Sequence, residues 1–157
     1  MPGDDPFAYN ETASVSVLTS CAVDAGFLAL AEYVTSKRIL SDLCKVNPRQ
    51  CRADLWMSWP RGSSWTFEFK QCWPHSGSPD IDLTYALEAA RGDATAITHS
   101  ESDHRIAGVI ASTYYLSSKD RSAADVVLRR AMSRVTWAGA FGGDRSSVYV
   151  YLDDVSK

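Results

Sequence analysis

The chain has 157 residues, of which 45% are hydrophobic and 22% are charged, a composition typical of an ordinary globular protein with one hydrophobic core. The net charge of -3 argues against a protein that coats nucleic acid by bulk electrostatics, although it is compatible with a local basic groove. Residues 1–6 lack the basic and apolar stretches of a secretory leader and no apolar run reaches membrane-spanning length, so we expect a cytoplasmic protein that does not enter the membrane.

The cysteines are expected to be reduced thiols, as is usual in the cytoplasm. Cys44, Cys51, Cys72 and His75 can be arranged on paper as a zinc site. However, the six residues between Cys44 and Cys51 do not fit a zinc knuckle, and no second pair repeats that spacing. We therefore expect no zinc.

A first helix is predicted from Asn10, a residue suited to the N-cap, to Gly26, which ends the helix. Glu11 falls on its apolar stripe, because it precedes Val15 by four residues. This acid either complements the helix dipole or reaches the edge of an active site, and the sequence leaves both interpretations open. The stripe consists of Val15, Leu18, Cys21, Ala22 and Ala25.

Residues 27–34 can form a strand or continue the helix across Gly26. A strand is favoured, because the helical stripe is complete at Gly26 and residues 33–35 are strand formers. In a strand, Glu32 shares a face with Leu28, Leu30 and Val34. In a helix, Glu32 replaces Glu11 as the candidate helix acid.

Residues 37–52 are predicted to be a polar connection. A basic loop that leads into an acidic strand would suit a phosphate backbone, and a solvated loop without function is an equal alternative. The basic residues are Lys37, Arg38, Lys45, Arg49 and Arg52.

Residues 52–73 predict a β-hairpin whose turn is formed by residues 60–64. Successive side chains of a strand point to opposite faces. The first strand therefore carries Asp54 on one face, and the second strand carries Glu68 and Lys70 together on one face. The hairpin is predicted to bring these charged groups together.

A register that pairs Trp59 near Trp65 would place Asp54 beside Lys70 and within diagonal reach of Glu68. Burying such charges is costly unless they are paired or bind a metal. Magnesium favours one or two carboxylates together with water and phosphate oxygens. The alternative is an exposed sheet face that carries only a Glu–Lys pair.

The pattern of Asp54, about a dozen further residues and then Glu68-Phe69-Lys70 resembles the motif of the PD-(D/E)xK nuclease superfamily. The resemblance implies that Asp54, Glu68 and the main-chain carbonyl of Phe69 bind Mg²⁺ or Mn²⁺. It also implies that Lys70 positions the attacking water or stabilises the transition state.

Three further positions bear on this resemblance. Glu11 would be a fourth member of the site, since many members of the superfamily carry an acid on their first helix. Gln71, next to the lysine, would be a supporting residue. Ala53 departs from the usual motif, in which proline precedes the aspartate.

The rest of the chain is predicted as a helix, a strand, a helix, a glycine-rich loop and a strand. The strand 105–113 is apolar on both faces, which is typical of a central strand, and a strand–helix–strand order implies a right-handed parallel crossover. The predicted bounds are a helix that opens at Asp80 or Asp82, the strand 105–113, a helix 122–135, a loop 139–144 and a strand 147–152.

The order α-β-β-β-α-β-α-β indicates a single α/β domain with a mixed central sheet flanked by helices. The resemblance implies a restriction-endonuclease-like three-layer sandwich over nearly the whole chain. The implied activity is magnesium-dependent endonuclease hydrolysis of phosphodiester bonds, with DNA as the expected partner.

A non-catalytic member of the same fold is the alternative. Such a protein would act as a protein-binding or regulatory module, and a second copy of the chain or another protein would be its partner. Aromatic density is typical of interfaces as well as cores. The tryptophans that crowd the hairpin are Trp56, Trp59, Trp65 and Trp73.

Overall fold

The computed structural model describes residues 6–39, 47–142 and 146–156, without the side chains of 36–39 and 47–50. In these ranges the chain forms three α-helices, six strands and two short 3-10 turns. Their bounds are α1 Glu11–Asp24, β1 Leu28–Ile39, β2 Asn47–Ser58, β3 Ser64–Cys72, α2 Pro79–Ala96, β4 His104–Ser112, α3 Ser118–Ala131, β5 Trp137–Gly142 and β6 Ser147–Asp154, with 3-10 turns at Pro6–Ala8 and Met132–Arg134.

The strands form one mixed sheet in the order β1-β2-β3-β4-β6-β5. β3 and β4 are parallel, and the other neighbouring strands are antiparallel. Parallel neighbours need a crossover, which α2 provides between β3 and β4. The predicted α/β class and the central position of the fourth strand are confirmed.

Helices cover both faces of the sheet, so the fold has three layers. On one face α1 buries Val15 against a cluster that includes Phe69. On the other face α2 and α3 contribute Leu87 and Leu128 to a cluster that includes Tyr149. None of the described helices has the length and apolarity needed to cross a membrane.

The first helix and the following strand are confirmed. The Oδ1 atom of Asn10 accepts a hydrogen bond from the N–H of Ala13 at 2.8 Å, as expected of an N-cap. The helix ends just before Gly26, whose φ of 91° is accessible to glycine at little cost. Residues 28–34 then lie in a strand and do not continue the helix.

The predicted connection 37–52 is wrong at both ends, because residues 37–39 belong to β1 and residues 47–52 to β2. Lys37 pairs with Arg49 in this hairpin. β1 is an edge strand, and charged residues are common on edges, so polarity alone does not exclude a strand. Lys45 and the rest of 40–46 lie outside the described residues.

The predicted glycine-rich loop 139–144 is also wrong in part, because residues 137–142 form β5. The strand contains two glycines, which have low strand propensity, but pairing with β6 along its whole length overrides that preference. Residues 143–145 lie outside the described residues.

Both remaining helices begin earlier than predicted. α2 starts at Pro79, ahead of Asp80, because proline is well suited to the first turn of a helix. α3 starts four residues before Ser122, because the side chain of Ser117 caps it by accepting a hydrogen bond from the N–H of Asp120.

Candidate active site

The turn of the β2–β3 hairpin differs from the predicted turn. Met57, and not Trp59, pairs with Trp65. The N–H of Trp59 donates to the carbonyl of Ser63 at 3.2 Å, so Trp59 belongs to the turn. The register is therefore shifted by two residues from the predicted one.

The shift changes which residues of the two strands face each other. The ladder between β2 and β3 ends at the pair of Leu55 and Phe67. Continuing this register places Asp54 level with Glu68 and not with Lys70. The prediction that Asp54 lies directly across from Lys70 is therefore wrong.

Beyond this pair, carboxylates bind the edge of β3 in place of the β2 backbone. The N–H of Phe69 donates to Asp54 Oδ2 at 2.6 Å, and the N–H of Gln71 donates to Glu11 Oε2 at 3.0 Å. Alternate residues of a strand direct their N–H groups to the same edge. The carboxylates of Asp54 and Glu11 therefore lie next to each other along one edge of β3.

The same edge also carries a main-chain oxygen. The N–H and C=O of one strand residue point to the same neighbour, so the carbonyl of Phe69 lies on the side of Asp54. Glu68 and Lys70 flank Phe69 in the chain. Glu68 is 2% exposed, whereas Lys70 is half-buried.

Lys70 is held by an acid from α2. Its Nζ lies 2.7 Å from Asp93 Oδ2. Burial acts to lower the pKa of Lys70, but the hydrogen bond and charge of Asp93, followed by the charges of Glu11 and Asp54, outweigh burial and raise it. Lys70 is therefore an ammonium group at neutral pH.

Sequence reasoning missed Asp93, although the sequence contained a signal for it. Asp93 follows Ala86 by seven residues and Ala90 by three, so it borders the stripe of α2 that packs on the sheet. The same argument singled out Glu11 on α1. Which strand residue lies beneath a helical acid depends on tertiary packing.

Glu11 lies in the electrostatic field of the other charged groups. Burial is the largest cause that raises the pKa of this carboxyl, and the charge of Asp54 raises it further. Lys70 and the N–H of Gln71 lower the pKa only in part. Glu11 thus reaches the edge of the candidate site while it also occupies the first turn of α1.

Gln71 ties α1 to β3. Its side-chain Nε2 donates to the carbonyl of Phe7 at 3.0 Å, and its Oε1 accepts from Ser14 Oγ at 2.9 Å. Ser14 is fully buried and lies one helical turn after Glu11. The supporting role of Gln71 in the site stays a prediction, and sequence reasoning missed its contact with Ser14.

A cleft of about 270 Å³ opens between α1 and the first two strands. Three acids, Glu11, Glu32 and Asp54, are among its lining residues. Glu32 has a φ of 49°, in the left-handed region that is uncommon for residues other than glycine. This backbone interrupts the strand alternation, so adjacent Ala31 and Glu32 both line the cleft. Glu32 also forms an ion pair with Arg52 at 3.0 Å.

The oxygen donors of the site suit a hard divalent cation. Asp54, Glu68 and the Phe69 carbonyl are the candidate ligands. Within the described ranges, no three histidine, cysteine, aspartate or glutamate side chains are grouped to hold a metal ion. A bound Mg²⁺ or Mn²⁺ would thus need the two carboxylates, the carbonyl and water, which is a ligand set that magnesium commonly accepts.

Replacing Glu11 with glutamine is expected to stabilise the protein at neutral pH. The raised pKa means that the folded state favours the neutral carboxyl, so stability falls as pH rises from the unfolded pKa through the folded pKa. The variant should melt higher than the wild type above this window, by about 2 °C. The difference should vanish at pH values below the unfolded pKa.

The measurement is a series of thermal melts across pH, and Glu88→Gln on the exposed side of α2 is the matched control. The glutamine can still accept the hydrogen bond from Gln71. A Glu11→Gln protein that melts lower than the wild type at neutral pH would contradict the expectation.

Comparisons with protein-family models, with curated proteins and with solved structures found no match for this chain.

Proposed function

We propose that the protein is a divalent-metal-dependent nuclease that hydrolyses the phosphodiester bonds of nucleic acid, with DNA as the expected substrate. The observation that carries the proposal is the hydrogen bond that the carboxylate of Asp54 accepts from the N–H of Phe69. Glu68 and Lys70 are the residues on either side of Phe69 in the chain. The resemblance of these residues to the PD-(D/E)xK motif and the order of the elements support the same function.

Asp54, Glu68 and the carbonyl of Phe69 would hold Mg²⁺ or Mn²⁺. When bound, such an ion polarises phosphate oxygens and lowers the pKa of a bound water. The two carboxylates come from different strands. Their relative position therefore depends on the end of the β2–β3 ladder at Leu55.

Lys70 would act as a cation and a hydrogen-bond donor. Since its pKa is raised, it retains its proton at neutral pH and does not serve as the general base. It would orient the attacking water or stabilise the negative charge that accumulates on the phosphate in the transition state. Asp93 would fix the direction of the ammonium group through their 2.7 Å contact.

Glu11 is the better candidate for the general base. Its raised pKa makes it a stronger proton acceptor than an ordinary carboxylate, and a base with a pKa nearer to neutral is more effective. Glu11 also lines the cleft next to Asp54, where it would accept the proton of a water molecule.

The charge distribution near the site suits a phosphate backbone. Residues 33–53 contain five of the 16 basic residues of the chain and only one of its 19 acidic residues. Of this segment, residues 33–39 and 47–53 belong to the part of the β1–β2 hairpin that continues past Asp54. Arg49 is five residues from Asp54, which corresponds to about 17 Å along a strand. The basic hairpin would thus contact nucleic acid at a distance from the cleaved bond.

Metal binding is expected to be lost when both carboxylates become amides. Asp54→Asn combined with Glu68→Gln removes the charges but preserves side-chain shape, and asparagine can still accept the hydrogen bond from Phe69. Isothermal titration calorimetry with Mg²⁺ and Mn²⁺ should show binding by the wild type and none by the double variant. The variant should melt at or above the temperature of the metal-free wild type, because two neighbouring carboxylates repel each other.

The matched control carries Asp24→Asn and Glu88→Gln, two exposed acids remote from the cleft lining. The same proteins are assayed for metal-dependent cleavage of single-stranded DNA, double-stranded DNA and RNA. Equal metal affinity in the wild type and the Asp54/Glu68 variant would refute the site. Metal binding without cleavage of any substrate would favour the protein-binding alternative.

A further inference from the structure

The strand β5 forms one edge of the sheet. Apart from its ladder with β6, none of residues 137–142 takes part in a backbone hydrogen bond with another described residue. Edge strands are commonly protected by lysine, proline or a bulge. The sequence Trp-Ala-Gly-Ala-Phe-Gly of β5 contains neither a charged residue nor proline. This edge therefore lacks the side chains that usually prevent pairing with another strand.

Two large aromatic side chains accompany this edge. Trp137 is 51% exposed and Phe141 is 57% exposed. They lie on the sheet face that α1 covers and border an apolar groove of about 200 Å³. A single helix about 10 Å wide covers roughly two strands spaced about 4.8 Å apart. α1 therefore leaves much of this six-stranded face uncovered.

The order of side chains in β5 is nearly symmetric about Gly139. An aromatic residue, an alanine, the glycine, an alanine and an aromatic residue follow one another from Trp137 to Phe141. When two such strands pair antiparallel with Gly139 opposite Gly139, each of the residues 137–141 meets a residue of its own kind. Trp137 of each copy then lies opposite Phe141 of the other, and aromatic cross-strand pairs are stabilising.

We propose that β5 is the dimerisation edge of the protein, and that it pairs antiparallel with β5 of a second copy about a two-fold axis at Gly139. The pairing satisfies the outer backbone groups of both strands and covers the exposed aromatic rings. It places no like charges opposite each other, because residues 137–142 are uncharged. The strand is short and the contact is smaller than a standard interface, so the dimer is expected to dissociate reversibly in the micromolar range.

The proposal is independent of the nuclease activity. β4 and β6 lie between β5 and β3 in the sheet, and neither Trp137 nor Phe141 lines the cleft that holds Glu11 and Asp54, so the pairing does not use residues of the candidate active site. A result against one of the two proposals therefore leaves the other unaffected.

Sedimentation equilibrium of the whole chain over a range of concentrations tests the dimer. The wild type is expected to shift from monomer to dimer, and Phe141→Lys should weaken association by about tenfold or more, since a lysine on an edge disfavours pairing. Leu28→Lys is the matched control, because Leu28 is 60% exposed on the opposite edge strand β1, and it should associate like the wild type. Thermal melts establish that all three proteins fold.

A second pair of variants tests the register. Trp137→Lys with Phe141→Glu creates two Lys–Glu cross-strand pairs in the proposed dimer, whereas Trp137→Lys with Phe141→Lys creates two Lys–Lys pairs. The first protein should associate several-fold more tightly than the second, with a difference that salt reduces. A wild type that stays monomeric throughout the micromolar range, or a dimer that Phe141→Lys leaves unchanged, would overturn the proposal.

Discussion

Lys70→Ala is expected to lower metal-dependent cleavage of nucleic acid by about 100-fold or more, because it removes a charge that acts mainly in the transition state. The ammonium group of Lys70 contacts Asp93 and lies in the field of Glu11 and Asp54. It is not among the proposed metal ligands, so most of the metal affinity should remain. The measurement combines single-turnover cleavage rates with calorimetric titration of Mg²⁺ and Mn²⁺.

Lys119→Ala, at an exposed position of α3, is the matched control and should cleave like the wild type. A Lys70→Ala protein that retains full activity would show that the proposed mechanism is wrong even if the protein is a nuclease. If Lys70→Ala loses metal binding together with activity, then Lys70 serves the metal site and not the transition state.

Asp93→Asn tests whether Asp93 sets the pKa of Lys70 or serves only a structural role. Asp93 supplies the largest contribution that raises the pKa of Lys70, so its neutralisation lowers that pKa. If activity depends on the ammonium form, the alkaline limb of the pH–rate profile should lie at a lower pH in the variant than in the wild type. A purely structural role for Asp93 would lower the rate without moving this limb of the pH profile.

The parts of the fold that local rules determine were predictable from the sequence. Asn10 and Gly26 marked the limits of α1, and both signals depend on only a few neighbouring residues. The alternation of side chains between the two faces identified both strands of the β2–β3 hairpin, because this pattern also depends only on neighbouring residues. Apolar character on both faces identified β4 as a central strand, because burial on both sides requires it.

The hairpin register was not predictable, because it depends on the backbone of the turn. Arg61 adopts a φ of 64°, a conformation in which asparagine or glycine would be expected. The arginine at position 61 therefore did not predict a turn that includes Trp59. An error of two residues leaves every side chain on its predicted face, so the hairpin residues keep their predicted faces although their pairing differs.

The remaining parts of the site depend on tertiary contacts. The ion pair of Lys70 with Asp93 joins β3 to α2, and the bond from Gln71 to Glu11 joins β3 to α1. Periodicity shows that a helical acid faces the sheet but not which strand lies beneath it. The left-handed backbone of Glu32 was equally hidden, because glutamate has no preference for that conformation.

Gly108→Ala is expected to destabilise the protein by about 3 kcal/mol, which lowers the melting temperature by about 6 °C or more for a chain of this length. A methyl group at Gly108 would overlap with Cδ1 and Cε1 of the Phe69 ring. Phe69 is 1% exposed and pairs with Gly108 across the β3–β4 ladder, so its ring has little room to move. Gly92→Ala is the control, since nothing beyond its chain neighbours and the backbone of its own helix lies within 4 Å of the added carbon, and alanine within α2 should stabilise by about 0.5–1 kcal/mol.

The same substitution should also weaken the candidate metal site, because the N–H of Phe69 binds the carboxylate of Asp54 and any shift of β3 moves Glu68 and the Phe69 carbonyl relative to Asp54. Phe69→Leu replaces the ring that obstructs the methyl group with a smaller and more flexible side chain. The Gly108→Ala/Phe69→Leu double variant should therefore be more stable than the sum of the single effects predicts. Thermal melts of the four proteins measure this coupling, and titration with Mn²⁺ measures the effect on the site. Additive losses in stability would show that the steric conflict is relieved elsewhere, and unchanged Mn²⁺ affinity in Gly108→Ala would show that the site does not depend on the packing of Phe69.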